Sequence, residues 1–358
     1  MSGEAVKNGR LTWSLTLVTR NRTDMLPQTV HWALRQTRPP IEVVVVDSSD
    51  EARYAAGAAA VRREIEASGM AIDYVHEPAE PSLTRQRNRA IELAKGDIVF
   101  LIDDDALMHE DCAEKIMAVY ERDIDEEVAG VQGTLTGPPG QPVRRAKASD
   151  WKFWLKLWLI DVFLYQDSEL VFVPYDGGYR RGPAPDWLAE HEAIIKGVMH
   201  GCRMTYRRHV IADSRFEPIF YGNAPCEDQD ASYRASRRGL LVQLPTAYLH
   251  HVFAPRVGQK RWSSRGLSQL DMYYLARKHS NNLRRDRVRL DWRLARYLVA
   301  DSIRDLGKKR WALPRPRAQF RAWRDGRRLL RLSEDRVDAE FLAMRARYLA
   351  PLTNRKPA

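Results

Sequence analysis

The stretch that decides the fold is residues 96–111, GDIVFLIDDDALMHED. Five apolar residues, 98–102, run directly into three consecutive carboxylates, Asp103, Asp104 and Asp105. A short, wholly apolar run is typical of a strand that is buried on both faces of a parallel sheet. Three adjacent like charges repel one another, and near a low-dielectric sheet they need a compensating cation. The stretch therefore predicts a buried strand that ends at a divalent-metal site; the alternative is a solvated acidic turn that caps the next helix.

The residues before this stretch alternate strand-like and helix-like patterns. Residues 11–18 and 41–47 are rich in β-branched side chains, whereas residues 23–37 place apolar side chains at helical spacing behind a Thr23/Asp24 cap. Two further helical segments, 55–68 and 82–96, each lead into another strand. This β-α-β-α-β-α-β order predicts an α/β fold with a mostly parallel, Rossmann-like sheet flanked by helices. Ligands of such folds bind beyond the carboxyl ends of the strands.

Composition indicates a globular protein of a reducing compartment. The chain has 358 residues, of which 44% are hydrophobic, and its three cysteines lack any CxxC spacing. We expect a cytoplasmic protein without a signal peptide, because residues 1–10 contain no apolar segment. The apolar run at 151–165 contains only 15 residues and is charged, so we expect no membrane span.

Charge divides the chain into unlike parts. Residues 1–250 hold 30 Lys and Arg against 37 Asp and Glu, whereas residues 251–358 hold 28 against 10. We expect a donor-binding half at 1–125, an acceptor-binding half at 126–255 and a basic helical region at 256–358. The basic region, and residues 303–332 above all, favours an anionic membrane surface, with self-association as the alternative. Nucleic acid fits poorly as the partner, because it would not explain the acidic cluster.

Several segments occur together in an informative order. They are SLTLVTRNR at 14–22, IEVVVVD at 41–47, RQRNRAIELAKGDIVFLIDDD at 85–105, CEDQDASYRASRRG at 226–239 and PTAYLHH at 245–251. In combination they resemble glycosyltransferase family 2, which is built on the GT-A fold. The resemblance implies inverting, metal-assisted transfer of a sugar from a nucleoside diphosphate sugar to an acceptor hydroxyl. It further implies Mg²⁺ or Mn²⁺ as cofactor and a sugar or lipid-linked acceptor, in cell-surface polysaccharide or glycolipid assembly.

The resemblance also implies a donor site. Asp105 and Asp103 would bind the metal with His251, while Asp103 or Asp104 would lie toward the ribose. Strand alternation puts His250 on the opposite face from His251. A lone histidine is more often structural than a ligand, so that alternative stays open.

Near the nucleobase, the resemblance places Thr19, Arg20 and Asp47. Arg20 stands where an aromatic residue often packs on the base, and Asp47 would accept a hydrogen bond from it, unless it only forms a turn at the strand end. Arg87 lies within the apolar stripe of its predicted helix and needs an anionic partner, either the nucleotide or an aspartate, with Arg85 as the substitute. The alternative is that Arg87 makes an internal salt bridge that only orders the site.

On the acceptor side, the resemblance assigns Asp228 as the base and Glu227 as its orienting or substitute carboxylate. Both residues, with Asp230, would also stabilise a helix N-terminus, and Asp230 with Arg234 forms a helical i,i+4 pair.

Two further groups complete the predicted site. Gly201, Cys202 and Arg203 resemble an acceptor-side loop, and Arg261 with Trp262 would contact the diphosphate and a sugar.

Two rival functions share parts of this pattern. A nucleotidyltransferase would use the same fold and carboxylates, but it usually has a glycine-rich loop after the first strand, where residues 19–24, TRNRTD, contain no glycine. A non-enzymatic phosphate- or nucleic-acid-binding protein would explain the basic tail alone.

Overall fold

The fold is seen in a computed structural model, which describes residues 10–141, 151, 155, 185–222, 225–252 and 261–349, the side chains of 261–264 excepted. Its strands are β1 (Trp13–Thr19), β2 (Glu42–Asp47), β3 (Asp73–Pro78), β4 (Ile98–Asp103), β5 (Ala106–Met108), β6 (Val128–Leu135), β7 (Ile194–Ile195), β8 (Arg203–Arg207) and β9 (Leu240–His251). Its helices are α1 (Leu26–Leu34), α2 (Glu51–Ser68), α3 (Leu83–Leu93), α4 (Cys112–Arg122), α5 (Trp187–Glu190), α6 (Arg208–Ser214), α7 (Glu227–Ser236), α8 (Arg261–His279), α9 (Leu283–Gly307), α10 (Pro314–Leu329) and α11 (Glu334–Leu349).

The described strands form one nine-stranded sheet. Its order is β3-β2-β1-β4-β8-β6-β9-β5, with β7 beside β9. Among themselves, the first four strands pair in parallel, as the sequence predicts for alternating strands and helices. The second half is mixed, since β8 runs antiparallel to both β4 and β6, whereas β6 and β9 are parallel. The predicted α/β class, with helices on both faces of the sheet, is confirmed.

Strand β4, which carries the opening stretch, is covered on both faces. Phe100 packs on one face in the main apolar core, with its ring centroid 4.3 Å from that of Trp13. Leu101 faces the other side, in a core that includes Ile91 of α3 and Met204 of β8. Burying one such side chain contributes about 1.5–3 kcal/mol. Both faces of the strand are therefore packed, and its carboxylates lie at its carboxyl end.

The predicted cap of the first helix is wrong. Helix α1 begins at Leu26 with Met25 at the N-cap position, and no side chain bonds to that cap. Pro27 lies in the first turn, where its missing N–H removes one donor that a Thr23 or Asp24 cap would have satisfied. Thr23 and Asp24 therefore lie in the turn between β1 and α1, before the helix begins.

The described part of the basic C-terminal region, residues 261–349, forms four helices, α8 to α11, as expected. Leu270 and Tyr273 of α8 and Phe341 of α11 share one apolar core with Phe220 and Tyr233, which precede them in the chain. These helices therefore pack on the second half of the sheet domain. Within the described residues, no helix has the length and apolar character needed to cross a membrane. The apolar run at 151–165 lies outside the described residues, apart from positions 151 and 155.

Gly326 of α10 marks a close approach between helices. A Cβ at this position would overlap the ring of Tyr273 in α8. We expect Gly326→Ala to lower the free energy of unfolding by about 1–3 kcal/mol, because the ring and the helix must move apart. Urea denaturation measures this change.

The matched control is Gly307→Ala, in the last turn of α9, where a Cβ meets nothing within 4 Å. Better helix propensity should raise the stability of this variant by up to about 1 kcal/mol. Equal stabilities of the two variants would contradict the packing described.

Candidate active site

The three aspartates after β4 have different surroundings. Asp104 points inward, where its Oδ2 accepts a hydrogen bond from Thr19 Oγ1 at 2.5 Å and its Oδ1 lies 2.6 Å from Arg22 Nη1. Burial raises the pKa of Asp104 to about 6, against the opposing effect of Arg22. Asp105 is also buried, and its Oδ2 lies 2.9 Å from the same Arg22 nitrogen. The Asp103 side chain is the accessible one, at 33% exposed.

Asp103, Asp105 and His251 form a candidate metal centre. Strand β5 pairs antiparallel with β9, which places His251 opposite Ala106 and beside the aspartates. His251 Nε2 lies 2.9 Å from Asp105 Oδ1 and 3.9 Å from Asp103 Oδ2, and one ligand atom from each residue falls within 4.8 Å of the others. The hydrogen bond to Asp105 raises the pKa of His251. Two carboxylates and an imidazole form a donor set that can hold a divalent cation, and the carboxylates are the ligands that Mn²⁺ and Mg²⁺ prefer.

His250 turns away from this cluster, as strand alternation predicts. Its Nδ1 lies 2.9 Å from the carbonyl oxygen of Thr136, which follows β6. The structure thus brings only His251 of the histidine pair to the aspartates.

Arg87 of α3 is a buried cation that joins the aspartates to α7. Its Nη1 donates to Glu227 Oε1 at 2.5 Å, and its Nη2 donates to Asp103 Oδ1 at 3.1 Å and to the carbonyl of Gly201 at 3.2 Å. Arg85 is exposed on the other side of the same helix. Of the two predicted arginines, Arg87 is therefore the one that contacts acidic residues of the site.

Asp228 lies beside this cation, and only one of its two carboxylate oxygens accepts a hydrogen bond from the described residues. Its Oδ2 accepts a hydrogen bond from the backbone N–H of Gly201 at 3.2 Å. Its Oδ1 is shielded from water and has no hydrogen-bond partner in the described part of the chain, although the residue as a whole is half-buried. Loss of hydration, reinforced by the charge of Glu227, raises the pKa of Asp228 well above its usual range. Burial also raises the pKa of Glu227, despite the attraction of Arg87.

Gly201 permits this arrangement by having no side chain. A Cβ at this position would lie 2.9 Å from Arg87 Nη2 and 3.5 Å from Glu227 Oε1. The backbone can therefore approach the guanidinium closely enough for its carbonyl to accept from Arg87 while its N–H donates to Asp228.

The other acidic residue of the first α7 turn is structural. Asp230 is buried, with Oδ2 2.5 Å from Arg234 Nη2 and Oδ1 2.9 Å from His279 Nε2 of α8. The predicted Asp230–Arg234 pair is confirmed, and the contact with His279 fastens α8 to the start of α7.

The predicted nucleobase residues lie at the ends of β1 and β2. Asp47 is buried, and its oxygens lie 2.8 Å from the backbone nitrogen of Ser49 and 3.1 Å from His76 Nε2. Although burial opposes the change, the hydrogen bonds with His76 and Ser49 lower the pKa of Asp47. Arg20 is exposed just beyond β1, next to Thr19.

The remaining predicted residues are placed less directly. Burial raises the pKa of Cys202 to about 12, which keeps its thiol protonated. Arg203 Nη1 donates to the carbonyl of Gly133 at 2.9 Å, so this side chain fastens β8 to β6. Arg261 begins α8, but its side chain and that of Trp262 lie outside the described residues.

Two residues of the site were missed by the sequence analysis. Arg22 pairs with aspartates 82 and 83 positions later in the chain, so no local pattern reveals it. Gln86 donates to the carbonyls of Thr19 at 3.2 Å and Val46 at 3.0 Å, joining the ends of β1 and β2. A polar residue beside Arg87 on the buried side of α3 was the available signal.

Comparison with protein families supports the resemblance over the first half of the chain. Residues 14–186 match the family model described as Glycosyl transferase family 2. No curated protein matches the sequence significantly.

The chain is similar to several solved structures at low sequence identity. The mannosyltransferase PcManGT from Pyrobaculum calidifontis, solved with GDP-Man and Mn²⁺, is 15% identical with a TM-score of 0.50, over 96% of this chain and 88% of that one. TarS 1-349 of S. aureus in complex with UDP-GlcNAc is 13% identical with a TM-score of 0.48, over 95% and 92%. GalNAc-T7 with UDP, GalNAc and Mn²⁺ is 15% identical with a TM-score of 0.46, over 68% of this chain. The match spans 44% of the GalNAc-T7 chain. The likeness to PcManGT supports the GT-A fold.

The candidate metal centre predicts which substitutions weaken Mn²⁺ binding. We expect Asp105→Asn and His251→Ala each to lower the affinity for Mn²⁺ by about tenfold or more, because each removes a ligand. His250→Ala is the matched control and should bind Mn²⁺ as the wild type does. Titration calorimetry with Mn²⁺ alone measures all three, and unchanged affinity in the first two variants would place the metal elsewhere.

Proposed function

We propose that this protein is an inverting, metal-dependent glycosyltransferase that moves a sugar from a nucleoside diphosphate sugar to an acceptor hydroxyl. The observation that carries the proposal is the connection made by Arg87. This buried cation contacts Asp103 of the candidate metal centre and Glu227, the neighbour of the shielded Asp228. The match of residues 14–186 to Glycosyl transferase family 2 supports sugar transfer in general.

The donor would bind at the carboxyl ends of β1, β2 and β4. Asp103 is the accessible aspartate, so we propose that it faces the ribose and the metal, while Asp104 is held inward by Thr19 and Arg22. A divalent cation on Asp103, Asp105 and His251 would neutralise charge on the departing diphosphate. The likeness to a mannosyltransferase solved with GDP-Man and Mn²⁺ makes this class of donor and metal the first to test.

The acceptor would be activated by Asp228. Its Oδ1 takes the hydroxyl proton while the hydroxyl oxygen bonds to the anomeric carbon. The bond from that carbon to the diphosphate oxygen breaks, and the diphosphate leaves with the electron pair. Attack opposite the leaving group inverts the configuration. A raised pKa makes Asp228 a stronger base than an ordinary aspartate, and the N–H of Gly201 fixes its other oxygen. Glu227, bound to Arg87, acts as a positioning residue.

The proposed roles of the parts of the chain follow their order in the sequence. We propose that residues 1–125 bind the donor, residues 126–255 bind the acceptor, and the helical region at 256–358 supports the second half. The proposed location is the cytoplasm, at the inner face of a membrane, where lipid-linked acceptors of polysaccharide or glycolipid assembly would lie. The odd number of cysteines and their lack of CxxC spacing support a reducing compartment.

Donor binding tests the proposal directly. We expect one of the UDP-, dTDP- or GDP-sugars to bind tightly with Mn²⁺ and weakly in EDTA, and to be hydrolysed slowly when no acceptor is present. Titration calorimetry measures the binding, and release of nucleoside diphosphate measures the hydrolysis. Asp105→Asn should lose the metal-dependent gain. Absence of binding and hydrolysis for all three nucleotides would refute donor use.

The assigned base gives a separate prediction. Asp228→Asn should leave donor affinity intact and lower turnover roughly 10²-fold or more, because the amide cannot accept the proton. In the wild type, turnover should fall as the pH is lowered through the raised pKa of Asp228, since the protonated carboxyl group is inactive.

The control is Asp213→Asn, an exposed carboxylate bonded to Arg238, which should retain normal turnover. Normal turnover in Asp228→Asn together with loss in Glu227→Gln would make Glu227 the base.

A further inference from the structure

Helix α9 presents an apolar stripe to solvent. The stripe consists of exposed residues three or four positions apart: Val288, Trp292, Ala295, Val299, Ile303 and Leu306. At 100° per residue these positions cover an arc of roughly 80°, and the stripe is roughly 27 Å long. The side chain of Trp292 is 64% exposed. A surface helix normally turns such a stripe toward the core, so an outward stripe indicates a binding surface.

The opposite side of α9 is occupied by charged residues that are buried: Asp286, Arg293, Asp301 and Asp305. Asp301 Oδ2 accepts from Arg265 Nη1 at 3.0 Å, and Asp305 is paired with Arg315. These ion pairs fix the rotation of the helix, because turning it would leave buried charges without their partners. The apolar stripe is therefore held outward.

Charge around the stripe is of one sign. Exposed cations lie beside its first turn, at Arg284, Arg287 and Arg289, and directly after its last, at Lys308, Lys309 and Arg310. Trp311, which follows them, is 75% exposed. Between residues 283 and 331, all five aspartates are buried or half-buried, whereas twelve Lys and Arg are exposed.

We infer that this face of α9, with the basic turn at 308–311, binds the surface of an anionic lipid bilayer. The apolar stripe enters the boundary between headgroups and acyl chains, and the flanking cations contact lipid phosphates. The surface differs from the segment 303–332 predicted from sequence, because most of the stripe precedes residue 303. The inference rests on the proposed location at a membrane and is independent of sugar transfer.

Other occupants match the surface less well. A second copy docked through the same face would bring the exposed cations of both chains together, and that repulsion opposes association. Nucleic acid binds mainly through its phosphates and offers no apolar layer to cover Trp292, Val299 and Ile303. An anionic bilayer supplies both the charge and the apolar layer.

Vesicle sedimentation with the full chain tests the inference. We expect binding to vesicles of phosphatidylcholine with roughly 30% phosphatidylglycerol, weaker binding at high salt, and little binding to phosphatidylcholine alone. Ile303→Glu should lower the affinity by about tenfold or more, because it places a carboxylate in the stripe. The matched control is Ile124→Glu, at an exposed isoleucine before β6, which should bind as the wild type does.

Circular dichroism and thermal denaturation verify folding, and Trp292→Ser with Val299→Ser provides a second test if Ile303→Glu is unstable. Failure of the wild type to bind anionic vesicles, or equal binding by the stripe variants, would overturn the inference. A dimer in sedimentation velocity that Ile303→Glu dissociates, without vesicle binding by the wild type, would assign the stripe to self-association. Donor binding measured on the same preparations separates this result from the proposed function, because either can fail alone.

Discussion

The site depends on one buried cation, the guanidinium of Arg87. Its nitrogens contact Asp103, Glu227 and the carbonyl of Gly201, three residues from distant parts of the chain. Burying a charge without a partner would cost several kcal/mol of folding free energy, so the three partners are held close to the guanidinium. The end of β4, the turn before β8 and the start of α7 are thereby held together. In the proposed reaction, these contacts hold the aspartates of the donor site in a fixed position relative to the base that activates the acceptor.

The backbone directs the three aspartate side chains toward different surroundings. Consecutive side chains leaving a strand point in different directions, so Asp104 turns into the protein and meets Thr19 and Arg22. Asp103 and Asp105 instead converge with His251. Arg87 pairs with Asp103, and Arg22 pairs with both Asp104 and Asp105, so each carboxylate has a cationic partner that offsets the repulsion among the three. Asp104 stabilises the loop, and Asp103 is the aspartate whose side chain stays accessible to a ligand.

The basic region divides its charges between interior and surface. Its aspartates are used inside, where Asp301 and Asp305 pair with arginines from neighbouring helices. Each buried pair takes one charge of each sign off the surface, so the exposed charges that remain between residues 283 and 331 are all positive. The same inward pairing orients α9 and leaves its apolar stripe in solvent.

The sequence by itself determined the parallel half of the sheet, the burial of Arg87, and the opposed directions of His250 and His251. Each follows from a local period of two or 3.6 residues, which neighbouring side chains set without distant contacts. Only the tertiary structure decided that Arg22 meets Asp104 and Asp105, that Gln86 joins β1 to β2, and which side of α9 faces solvent. Those features depend on residues far apart in the chain. A helical period shows that a stripe exists, but only the partners that pack on the helix determine which side is buried.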